Sequence, residues 1–183
     1  MHPSEMFLTL HAHVHAAATS GEHGPSLEDG LCDGLTDAQM RGRPDGFNSI
    51  VWLLWHITRF EDVVVNTVLR GVPEVLDRDG WQERLGVGTR LAGTGSSDEE
   101  VEEFSQQVDP SAVRAYRAAV GRETRQWAVR RGSGRRPPIS RPWQPSPTCW
   151  AAFHKPLPRW TNGPSGCGGC GRTGRGLASC PCP

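Results

Sequence analysis

After Glu123 the chain carries no acidic residue, and in all of its 183 positions it has one lysine and one tyrosine. It also lacks any run of about 18 consecutive apolar residues, which excludes a helical membrane span. The N-terminal Met1-His2-Pro3-Ser4-Glu5 has no basic stretch followed by an apolar core, so no secretory signal is expected. Hydrophobic residues make up only 36%, low for a globular chain, while 22 glycines and 15 prolines are many. Such a length suits one domain, or one domain with a tail.

The formal net charge is zero, but the charges are not mixed. Residues 1–130 hold 20 acids against 12 arginines; residues 131–183 hold seven arginines, Lys155 and no acid. The same cut gathers 10 of the 15 prolines and 5 of the 6 cysteines into the second part. The two compositions imply a helical domain over 1–130 and an Arg/Gly/Pro/Cys-rich tail over 131–183. Too proline-rich for a long helix and without hydrophobic period, that tail is expected to be disordered.

Within the first part the period is helical throughout. Phe7, Leu10 and Val14 recur at spacings of three and four, so a helix is predicted from Pro3 to about Thr19, capped by Ser4. Ser49 to Leu69 is the strongest element, capped by Asn48 or Ser49 and stopped by Gly71 and Pro73. Its apolar face is Ile50, Leu53, Leu54, Ile57, Phe60, Val64, Val68 and Leu69, widened by Val51, Trp52 and Trp55. A short helix is predicted near Leu27–Cys32 or Asp37–Met40, within a Gly/Asp/Pro-rich connection, and another at Trp81–Leu85. Ser97 and Glu100 form a capping box for another, and Asp109-Pro110 opens a long one through Val113, Tyr116, Val120, Thr124 and Trp127. No segment alternates as a strand would, so the fold class is all-α.

Three groups could carry chemistry. His56 lies on the most apolar helix, where a buried imidazole needs a partner: a metal ion, a backbone carbonyl or a carboxylate. His11 and His15, four apart, face one way and can share a metal; a solvated face bearing incidental histidines is the alternative. Cys167, Cys170, Cys180 and Cys182 supply four thiols that could bind zinc, although no apolar residues flank them to build a zinc-ribbon core. The tail arginines with Trp143 and Trp150 offer charge and stacking surfaces for nucleic acid, the weaker reading of that composition.

The run Asn48-Ser49-Ile50-Val51-Trp52-Leu53-Leu54-Trp55-His56-Ile57-Thr58-Arg59-Phe60-Glu61-Asp62 resembles the DinB/YfiT-like metalloenzyme superfamily. The resemblance extends from about Phe7 to Trp127. It implies an up-and-down four-helix bundle, a three-histidine site for a divalent metal (Zn, Ni or Fe), and thiol-dependent transferase or isomerase relatives that use a low-molecular-weight thiol. Of the family ligands only His56 carries over, with Glu61 and Asp62 at most as supporting groups. The other two come from the family's last long helix as H-x-x-x-H; here the only downstream histidine is His154, with no partner. The last helix of the bundle is therefore expected to be missing or replaced, as a frameshift in a GC-rich gene would produce.

The sequence thus predicts a cytoplasmic DinB-like metal-dependent enzyme, impaired because its C-terminal ligands are absent, with His56 as family-matched ligand and His11 and His15 as further ones. Its uncovered helix faces would favour a homodimer, and its small-molecule substrate is not specified. A non-catalytic helical interaction module with a basic nucleic-acid-binding tail, and a small protein binding zinc through the tail cysteines, are the competing readings. A membrane partner is not expected.

Overall fold

A computed structural model describes residues 2–21, 26–88 and 92–132. Among these residues there are helices and no strand. They form α1 (Pro3–Val14), α2 (Ala17–Ser20), α3 (Leu27–Cys32), α4 (Asp37–Arg41), α5 (Ile50–Asp62), α6 (Trp81–Leu85), α7 (Asp98–Gln107) and α8 (Pro110–Gly132). A π-helical stretch, Val63–Arg70, prolongs α5. The tail cysteines, Trp143, Trp150 and His154 lie outside the described residues, as does all but the start of the 131–183 segment.

Local rules account for most of the helix ends. Ser49 Oγ accepts from Trp52 N at the start of α5, and Gly71, at φ 65°, closes its π-helical extension in the left-handed region that glycine tolerates best. Ser97 and Glu100 make the predicted capping box of α7. Pro110 is the first residue of α8, and Asp109 accepts from Ser111 N at 2.8 Å. The first helix differs from its prediction. His2, not Ser4, caps it, with Pro3 inside as its first residue. It also ends at Val14, and α2 restarts after the extended residues His15 and Ala16. Glu28 and Asp29 accept the Ala16 and Ala17 amides, so the break is held by side chains of α3.

The long α8 packs against both α5 and α1. The main core lies where α5 meets α8 and includes Trp52, Trp55, Leu76, Leu85, Val113, Tyr116 and Val120. Here the apolar stripes read from the sequence are only partly correct. On α5 the buried side is Val51, Trp52, Leu54 and Trp55 together with Thr58, Arg59 and Asp62, whereas Leu53, Ile57, Val64 and Leu69 are exposed. On α1 the reversal is sharper. Phe7, Leu10 and Val14 face outward, and His11 and Ala12 are buried. The reason is that each helix has polar residues with partners inside, such as His11 and His15 at Glu61 and Arg59 at Asp62 and Glu74, which offset much of the cost of burying them.

At the α1–α8 crossing space is short. A methyl group on Gly121 would lie 2.7 Å from Thr19 and 2.8 Å from the His15 ring. Gly121 therefore lets α8 approach α1 closely enough to form the floor beneath His15.

Candidate metal centre

Glu61 stands on the last turn of α5 and reaches α1. Its Oε1 lies 3.2 Å from His11 Nε2, and its Oε2 lies 2.9 Å from His15 Nε2. The i, i+4 spacing stacks the two imidazoles, with centroids 4.2 Å apart and planes 21° from parallel. His11 and His15 are buried, and the Glu61 side chain keeps 17% exposure. One donor atom from each of the three residues falls within a 4.8 Å cluster, the one such group among the described residues.

The protonation states suit a cation. Burial alone would raise the Glu61 pKa, but the His11 and His15 contacts outweigh it and hold the carboxyl well below the usual range. The Thr124 hydroxyl is close enough to add to this, although it makes no hydrogen bond of normal geometry. His15 is shifted down, first by burial, which the Glu61 contacts only partly offset. Near neutral pH the cluster thus presents an ionised carboxylate with His15 in its neutral form.

Both shifts act in one direction on stability. His15 has a lowered folded pKa, so its burial disfavours folding increasingly as pH falls below its ordinary value of 6.5. Glu61 contributes stability above its ordinary value of 4.5, and that contribution is lost as pH falls through the depressed folded value. Metal-stripped protein should therefore lose urea resistance as pH falls below 6.5, and more steeply below 4.5. Glu61→Gln should remove the steeper part. An unchanged pH profile in that variant would refute the assignment.

His56 is placed differently. Its Nδ1 donates to the Ala92 carbonyl at 2.5 Å, its ring stacks on Trp52 with a 4.7 Å centroid separation, and Phe60 meets it edge-on. It is not among the three residues brought together at Glu61. Asp62, the other acid of the motif, turns into the core to meet Arg59, Asn66 and Tyr116. The i, i+4 histidines were visible in the sequence. Glu61 as their partner was not, because that pairing depends on where α1 crosses α5.

The sequence profile of the DinB superfamily matches residues 25–134. The chain belongs to the DinB superfamily. No curated protein matches it. The matched region of this DinB domain contains His56 and Glu61 but begins after His11 and His15. The family match and the histidine pair are thus separate observations.

The donor set fits a divalent metal in kind and number. Two imidazoles and one carboxylate are a ligand combination of catalytic zinc sites, which leave further positions open. The fit is weaker one layer out. Both Nδ1 atoms are buried without a hydrogen-bond partner. Metal-bound histidines ordinarily pass their second N–H to an acceptor, and loss of that support costs about 10–100-fold in affinity.

Proposed function

We propose that this DinB domain binds a divalent metal ion between α1 and α5 through His11, His15 and Glu61. The observation that supports it is the convergence of these three donor groups at a seam that is largely buried. His56, the residue matched to the family pattern, is assigned instead to the wall formed by the Ala92 carbonyl. A bound ion would supply Lewis acidity to a substrate oxygen or sulfur, the chemistry that the thiol-dependent group transfer implied by the resemblance requires. The protein's own part is to keep Glu61 ionised and His15 neutral, so ligation of these two groups near neutral pH requires no proton release.

The test is zinc titration of the chelator-stripped full chain by calorimetry. An ion should bind at the seam, with His15→Ala and Glu61→Gln each weakening that binding at least about tenfold. His56→Ala and the pair Cys167→Ala/Cys170→Ala should leave it in place. If all the bound zinc survives His15→Ala and disappears with the cysteines, the tail is the zinc-binding part and the proposal is wrong.

A further inference from the structure

A second site shares no residue with the metal centre. It is a cavity of about 230 Å³ between α5, α7 and the segment that follows Ala92. Its lining is aromatic: Trp52, Trp55 and Phe104, with the Trp55 and Phe104 rings 5.4 Å apart. On the α7 side, Glu103 accepts from the Gln107 amide, one turn on, at 3.0 Å. No arginine or lysine is among the described residues that line it.

The opposite wall is a tight turn. Ser96 N donates to the Gly93 carbonyl at 3.1 Å, and Gly95 takes φ 76°, the left-handed conformation for which such turns select glycine. Gly93 lies so close to Trp52 that a methyl group there would be 2.9 Å from its ring. His56 ties the preceding Ala92 carbonyl to α5. The turn is thus held against the aromatic lining, and it places Thr94 at the cavity. The Thr94 hydroxyl is buried and has no hydrogen-bond partner. A water molecule there would need two to four polar partners. The neighbouring Ala92 and Gly93 carbonyls already accept from His56 and Ser96.

From this we infer that the cavity binds a neutral aromatic molecule of two fused rings that carries one hydrogen-bonding N–H. The volume sets the size: an apolar cavity of about 150 Å³ holds benzene, and about 230 Å³ leaves room for a second ring. The lining sets the class, because aromatic rings in offset or edge-to-face contact attract one another beyond the area they bury. Neutrality follows from the same surroundings. An anion would meet no arginine or lysine among the described lining residues, and any charged group would lose its hydration among three rings. The N–H meets the Thr94 hydroxyl, which is otherwise buried without a partner at a cost to stability.

Calorimetric titration of the full chain with indole tests this, beside benzothiophene, a molecule of nearly the same shape without the N–H. Indole should bind saturably. Thr94→Val keeps the side-chain shape and removes the hydroxyl, so it should weaken indole about fivefold and leave benzothiophene unweakened, with far-UV circular dichroism unchanged. Thr94→Ser keeps the hydroxyl and should bind indole as the parent chain does. Absence of saturable indole binding, indole binding undiminished by Thr94→Val, or an equal loss of both probes in that variant would each overturn the inference. None of these results depends on the metal centre, which Glu61→Gln tests separately.

Discussion

Replacing Asp62 by alanine should lower the unfolding free energy by about 3–5 kcal/mol, the usual loss when one member of a buried charged network is removed. Asp62 is fully buried on α5 and serves five donors. Its Oδ1 accepts from Asn66 Nδ2 at 2.6 Å and from Val75 N at 2.9 Å; its Oδ2 accepts from Leu76 N at 3.0 Å, Tyr116 Oη at 2.5 Å and Arg59 Nη1 at 3.3 Å. Val75 and Leu76 open a short 3₁₀ turn that has no side-chain cap of its own, so Asp62 caps it from across the fold. Tyr116 remains a donor because burial pushes its phenol well above the ordinary range. In the variant, two backbone amides, the Asn66 side-chain amide, a phenol and part of a guanidinium lose an acceptor in a buried place. Urea unfolding of the full chain measures the effect, and a loss under about 1 kcal/mol would show that the network relaxes or hydrates.

Glu28→Ala should have a comparable effect at Arg117, the next residue along α8 from Tyr116, again about 3–5 kcal/mol. Glu28 and Arg117 are both buried, with Arg117 Nε 2.7 Å from Glu28 Oε2. The same carboxylate oxygen accepts from Ala16 N, and Arg117 Nη2 donates to the Val14 carbonyl at 3.1 Å. One pair therefore fastens α3, the α1–α2 break and α8 together. The expected loss comes from the arginine left without its counter-charge, so it should depend on Arg117. Glu28→Leu combined with Arg117→Met should recover most of it, because an apolar pair has no charge to strand. A double variant as unstable as Glu28→Ala would mean that the Ala16 and Val14 contacts, not the charge, carry the effect.

Helix ends and helix faces differed in how far the sequence revealed them. The ends are set by neighbours in the chain: Ser49 before α5, Ser97 with Glu100 at α7, Pro110 in α8. Such signals act within one turn and need no tertiary information. Faces are chosen by what lies across the fold. Phe7, Leu10 and Val14 form a good apolar stripe, yet α1 buries His11 and Ala12 instead. Small residues, Ala12 and Gly121, allow α1 and α8 to come close, and Glu61 supplies the polar partner that makes buried imidazoles tolerable.

The candidate sites follow the same division. By itself the sequence determined the all-helical class, the position of the long helices, the motif around His56 and the i, i+4 pairing of His11 with His15, because each is encoded in a local pattern. Only the tertiary structure decided that Glu61 completes the histidine pair, that His56 anchors a loop through Ala92, and that Asp62 belongs to the core. These three outcomes depend on contacts between residues as many as 54 positions apart. Such contacts are fixed by how helices cross, and periodicity along one helix carries no information about that crossing.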